Sequence, residues 1–135
     1  MRSSELFQRH EGNPILTAAD WPYTVNAVLN PGATRFGGET LLLVRVEDRT
    51  GLSHLSVARS ADGLTNWIVE HDRSLLPNVE SESERFGIED PRITLCGDEH
   101  LILYTGYSEV GPLVCLAATQ DFRSYERRGV VMPPE

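Results

Sequence analysis

Two segments of this chain run parallel to each other at a fixed offset. Asn30-Pro31 opens NPGATRFGGETLLLVRVEDRTG, and Asp90-Pro91 opens DPRITLCGDEHLILYTGYSEVG. Positions 30, 37, 41 and 51 each find their counterpart 60 residues on, at 90, 97, 101 and 111. Past Gly51 and Gly111 the register slips by one, so that Ala58 answers to Ala117, Ser60 to Thr119 and Asp62 to Asp121. Self-similarity at such a period marks stacked supersecondary units rather than one compact globule. Each unit reads as about four short strands, the pattern of a β-propeller blade.

The strand-like runs fall at 33–36, 40–46, 53–59 and 66–70, and again at 92–96, 100–107, 113–119 and 125–130. They are rich in Leu, Val, Ile, Tyr and Thr and are separated by short turn signals. No stretch keeps a helical period, so the predicted class is all-β. Residues 1–24 read as an irregular lead-in broken at Asn13-Pro14 and Trp21-Pro22, and residues 25–135 as two blades. The acidic stretch 77–86 (PNVESESERF) reads as an exposed loop. The segment SADGLTNW (60–67) resembles the Asp-box of sialidase-type propellers, in which the Asp braces its own turn. Asx-turn hydrogen bonding accounts for that residue without any catalytic role.

Two blades make an open wedge, since closed propellers need roughly 4–8. The chain therefore reads as the N-terminal part of a longer protein. The net charge of −8 argues against nucleic acid, because phosphate-backbone binding needs a clustered basic surface. No run approaches membrane-spanning length, and the first residues lack the apolar stretch of a signal peptide, which favours the cytoplasm and no membrane partner. The two cysteines, 96 and 115, fall on strands one place removed, too far apart for a disulfide, and read as buried thiols. The four histidines are scattered without zinc-ligand spacing, so no metal is expected.

The turns set a register. Gly37-Gly38 and Gly97-Asp98 read as two-residue hairpin loops. Counting back from them places Asn30 directly opposite Arg45, and Asp90 opposite Thr105. Directly opposed residues share a face with Cβ atoms roughly 5 Å apart. Asn30 and Arg45 are thus expected as neighbours at one end of a hairpin, with Asp90 at the matching place on the next blade. In a propeller the first strand of each blade lines the central channel, so both polar groups should point at one mouth of it. The bland alternative for Asp90 is a turn opener before proline. For Asn30 it is a turn cap, and for Arg45 an ion pair with Glu47, Asp48 or another carboxylate. Glu89 and Arg92 read as structural, as a local ion pair or strand-end brace.

Taken together, Asn13-Pro14-Ile15-Leu16, Asn30-Pro31-Gly32, Arg45-Val46-Glu47-Asp48, Gly87-Ile88-Glu89-Asp90-Pro91-Arg92 and Tyr104-Thr105-Gly106-Tyr107-Ser108 resemble glycoside hydrolase family 130 over about residues 10–135. The resemblance implies a five-bladed propeller enzyme, a β-mannoside phosphorylase or β-mannosidase. It also implies Asp90 as the catalytic acid, Asn30 and Arg45 as residues holding the sugar in the −1 subsite, and Asp48 as a sugar-hydroxyl ligand. Breaking a glycosidic bond needs a proton on the leaving oxygen, which a carboxylic acid supplies. Phosphate is itself an anionic nucleophile, so phosphorolysis needs no second carboxylate. In the family the proton passes through the sugar's 3-hydroxyl. The implied partners are a β-mannoside oligosaccharide and inorganic phosphate as co-substrate, with no cofactor, and a homo-oligomer stays open. The family's phosphate-binding Arg and His residues belong to later blades, so the 135 residues alone should be inert or nearly so. A two-blade carbohydrate-binding or structural module is the alternative from a different class.

Overall fold

The computed structural model describes residues 6–133, apart from the side chain of Arg73. Eight strands form two four-stranded antiparallel sheets. The first holds β1 (Ala27–Phe36), β2 (Glu39–Glu47), β3 (Ser53–Ser60) and β4 (Ile68–Leu75). The second holds β5 (Ile88–Cys96), β6 (Glu99–Ser108), β7 (Gly111–Thr119) and β8 (Glu126–Met132). Each sheet is a simple up-and-down meander, the arrangement of a propeller blade. Among the described residues no helix is long and apolar enough to cross a membrane.

The glycine turns close the first hairpin of each blade, with Gly37, Gly38 and Gly97 all at positive φ (59°, 83° and 63°). From them the ladders run as counted, Phe36 opposite Glu39 and Cys96 opposite Glu99, as far as Gly32↔Leu43 and Arg92↔Leu103. There both registers slip. Leu29, not Asn30, lies opposite Arg45, and Glu89, not Asp90, lies opposite Thr105. The cause is the Asx-Pro pair: proline has no N–H for the ladder, and the strand bulges. Asn30 and Asp90 take positive φ there (36° and 50°), a conformation Asn and Asp tolerate better than most residues. Pairing resumes beyond the bulge, so β1 and β5 begin earlier than the sequence reading placed them.

Alternation along β2 divides the core. Leu41 and Leu43, with Leu55 and Val57 of β3, face the second blade and pack on Ile88, Ile102, Tyr104, Cys115 and Phe122 in one buried cluster. The opposite face, with Val44, Val46 and Ala58, is covered by the lead-in through Trp21, which is buried. Residues 6–26 contain no strand, only the short 3-10 turn Ala18–Asp20, yet they cap a blade face. Close approach of the blades demands glycine at position 32: a Cβ there would lie 2.8 Å from the Pro91 carbonyl oxygen and 3.0 Å from Ile93.

Two further expectations are corrected. The segment 77–86 is not wholly exposed, because Glu84 is buried at 2% exposure. Its carboxylate accepts hydrogen bonds from the Tyr104 hydroxyl (2.6 Å), the Arg127 Nε (3.0 Å) and the Asn78 backbone N–H (2.7 Å). A buried carboxylate is tolerated when it is paired and fully hydrogen-bonded. Burial, then the bond to Glu84, drives the Tyr104 phenol well above its usual range. Of the two free cysteines, Cys115 is buried as expected, whereas Cys96 is exposed at its hairpin end.

The Asp-box reading of 60–67 holds, and the second unit has the same turn. The Asp62 carboxylate accepts from the backbone N–H groups of Leu64 and Thr65 (both 2.8 Å) and from the Thr65 hydroxyl (2.6 Å). Asp121 repeats this with the N–H groups of Arg123 (2.9 Å) and Ser124 (2.8 Å). Those backbone donors favour the ionised form and hold Asp121 down at about 2.

Candidate active site at the joint between blades

Arg45 stands on the face of β2 that carries Leu41 and Leu43, two positions past Leu43, so its side chain projects toward the second blade. Its guanidinium is spread over three acceptors. Nε donates to Ser53 Oγ (3.1 Å), Nη1 to Asp90 Oδ1 (3.3 Å) and Nη2 to Glu89 Oε1 (2.9 Å). Glu47 lies further off, 3.9 Å from Nη2, and is itself held by Asn26 Nδ2 at 2.6 Å. The arginine is mostly buried (17% side-chain exposure), while Asp90 keeps 35%.

Asn30 reaches the same carboxylate: its Nδ2 donates to Asp90 Oδ1 at 2.9 Å. Two residues related by the repeat therefore touch each other across the blade joint. The sequence reading put Asp90 at a matching place on the neighbouring blade; the bulges bring it into direct contact with both Asn30 and Arg45. Both donors converge on Oδ1. Oδ2 receives no hydrogen bond from any described residue. Among the described residues the site is thus a carboxyl group gripped by one oxygen and open at the other, which suits delivery of a proton to a bound molecule.

The remaining named residues sort differently. Asp48 Oδ1 accepts from the Thr50 N–H (2.8 Å), the Thr50 hydroxyl (2.7 Å) and the Leu52 N–H (3.1 Å), so this oxygen braces the β2–β3 turn. The Thr50 hydroxyl, foremost among those donors, lowers its proton affinity. Arg92 donates to the Pro91 carbonyl oxygen (2.9 Å), and Glu89 pairs across the joint with Arg45 instead of with Arg92. Ser53 is the residue sequence reasoning missed. Its signal was available, because it opens the strand next to β2, opposite Glu47 and two ladder steps from Arg45. Beside Asn30 lies an apolar groove of about 580 Å³ lined by Asn13, Pro14, Ile15, Leu16, Val28 and Leu42, which brings the Asn-Pro-Ile-Leu string alongside the site.

With this geometry in place, comparison with known proteins is decisive. Residues 5–134 match the family model for glycoside hydrolase family 130, described as β-1,4-mannooligosaccharide phosphorylase. The chain belongs to glycoside hydrolase family 130. The β-1,2-mannobiose phosphorylase of Listeria innocua is 25% identical over 94% of the chain and 51% of its own length. Its structure in complex with β-1,2-mannobiose matches with a TM-score of 0.85 over 94% of the chain and 52% of that one. The 1,2-β-oligomannan phosphorylase of Thermoanaerobacter sp. is 32% identical over 78% of the chain and 38% of its own length. A family structure described with glycoside hydrolases that target β-1,2-mannosidic linkages in Candida mannan shares the fold at 24% identity, with a TM-score of 0.81 over 92% of the chain and 41% of that one. The chain spans about half the length of the first of these curated relatives and less of the second. The family 130 neighbours are five-bladed propellers, and the two sheets here are blades of that kind.

Proposed function

We propose that the full-length protein phosphorolyses β-mannosides with inversion, using Asp90 as the acid and Asn30 and Arg45 as residues that hold the sugar next to it. The observation carrying this reading is the Asp90 carboxyl, gripped at Oδ1 by Asn30 (2.9 Å) and Arg45 (3.3 Å) and open at Oδ2. In the proposed step a phosphate oxygen bonds to the anomeric carbon as the glycosidic C–O bond breaks. The departing oxygen takes a proton that begins on Asp90 and is relayed through the sugar's 3-hydroxyl. The products are α-mannose 1-phosphate and a sugar shortened by one unit, and a proton from the next phosphate or from solvent restores Asp90. No second carboxylate is required, because the nucleophile is already an anion. Inorganic phosphate is the co-substrate and the oligosaccharide the partner. Asp48, with Oδ1 committed to its turn, reaches a sugar hydroxyl only through Oδ2.

The test is product analysis of the full-length protein with β-1,2- and β-1,4-mannobiose, each with and without phosphate. Mannose 1-phosphate formed only with phosphate supports the reading and assigns the linkage. Free mannose formed equally with and without phosphate would make the protein a hydrolase of the same family. No product from either sugar would remove β-mannosides as substrates.

A further inference from the structure

Arg45 and Asp90 have the makings of a two-pronged pair, in which a planar guanidinium meets both oxygens of a carboxylate. The structure does not close that pair. Arg45 gives Asp90 a single contact at 3.3 Å, on Oδ1, and makes its shortest contact, 2.9 Å, to Glu89. Adjacent residues of a regular strand point to opposite faces. Here the positive-φ bulge at Asp90 lets carboxylates 89 and 90 reach the same guanidinium. The two repeats also differ where the contact is made: the counterpart of Glu89 in the first blade is Leu29, and the counterpart of Arg45 in the second is Thr105. Each blade thus contributes one half of a cross-joint pair and lacks the other half.

We propose that Glu89 is a positioning residue for Asp90. By drawing Nη2 of Arg45 to itself, it prevents the guanidinium from closing on both Asp90 oxygens and leaves Oδ2 open to the substrate. The inference rests on the reading of Asp90 as the acid, but its geometric core does not need turnover. Ser53 completes the arrangement by holding Nε, so that the fork pivots about that bond and Glu89 decides where Nη2 goes.

The test uses Glu89→Ala in the full-length protein, read by crystallography and by kinetics on whichever mannobiose the wild type phosphorolyses. In the crystal, Arg45 should turn so that Nη1 and Nη2 contact both oxygens of Asp90. In solution, kcat should fall about 10-fold or more, with the 10²–10⁴-fold that a general acid supplies as the ceiling, while KM moves far less. Glu89→Gln keeps an acceptor without the charge, and serves if the alanine variant does not fold; it should fall between wild type and Glu89→Ala in kcat. An Arg45 that stays on one Asp90 oxygen, or shifts to Glu47, overturns the proposal. So does a loss that appears mainly in KM. If the wild-type protein turns over no mannoside, the functional reading fails, and the crystal structure of the variant still decides whether Glu89 holds Arg45 away from Oδ2.

Discussion

At the scale of single residues, the site depends on two side chains in a backbone conformation that most residues avoid. Asn30 and Asp90 sit at φ 36° and 50°, so a substitution there changes the backbone as well as the chemistry. Asn30→Gly is therefore the informative variant, since glycine accepts this φ without strain and only the amide is lost. In the full-length protein it should raise KM and lower kcat/KM for the proposed phosphorolysis, with the melting temperature little changed; a normal kcat/KM would take Asn30 out of the proposed sugar site. Arg45→Lys should lose nearly as much activity as Arg45→Ala, because one ammonium cannot serve Ser53, Asp90 and Glu89 from a planar fork. Full activity in the lysine variant would show that only the charge matters. The sequence singled these residues out as candidates, but their contacts with one another could not be read from it. Counting back from the hairpin glycines ignored that proline cannot pair, so the slip at Asn30-Pro31 and Asp90-Pro91 went unseen. Glu84 was missed for another reason: composition marks an acidic loop as exposed, and the partner that buries it, Arg127, is 43 residues away.

At the scale of elements, the turns between the third and fourth strands differ in one instructive position. Gly63 (φ 76°) in the first blade answers to Phe122 (φ 57°) in the second. Phe122 bears the left-handed strain and returns it as packing: it is fully buried, 5.1 Å from the Phe36 ring of the other blade and 4.8 Å from His100. Phe122→Ala should cost about 3–5 kcal/mol in urea unfolding. Phe122→Gly should be less damaging than alanine by about 1 kcal/mol, the reverse of the usual order, because glycine removes the strain. Alanine proving the better tolerated would contradict this account of the turn. His100, wedged between Phe36 and Phe122, has neither ring nitrogen hydrogen-bonded among the described residues, and burial lowers its proton affinity. The unfolded chain, with an ordinary imidazole near 6.5, then binds the proton more readily than the folded one. This contribution to stability is complete above about pH 6.5 and is lost as pH falls below it. The melting temperature of wild type should therefore drop more between pH 7.5 and 5 than that of His100→Leu; an equal drop would show that His100 titrates without penalty.

At the scale of the whole molecule, the repeat predicts which surface is meant to be covered. Leu43 of the first blade is fully buried against the second. Its counterpart Leu103 lies 42% exposed on the far face of the second blade, and Met132, two strands away in the same sheet, is 60% exposed. If the packing of the first blade on the second repeats around the five-bladed fold of the family, a following blade packs on that face. In the isolated 135-residue chain, Leu103→Ala should change the unfolding free energy in urea by no more than about 0.5 kcal/mol, as at any open surface. In the full-length protein it should cost about 2–5 kcal/mol, as Leu43→Ala should in both. Equal and small effects of Leu103→Ala in the two proteins would mean that no blade covers this face. The fold was readable from the sequence because glycine turns, strand alternation and the repeat all gave one answer. The joint was harder to read, because it depends on bulges that alter the direction of side chains without altering the pattern.

The central claim, that the acid of this site is Asp90 and that its chemistry resides at the joint between blades, is tested most directly by Asp90→Asn in the full-length protein. Asparagine keeps the shape and the acceptor for Asn30 and Arg45 but has no acidic proton to deliver. Sugar binding by calorimetry should stay within a few-fold of wild type, while kcat for phosphorolysis should fall by about 10²–10⁴. A variant that binds the sugar and turns it over at a near-normal rate would contradict the account.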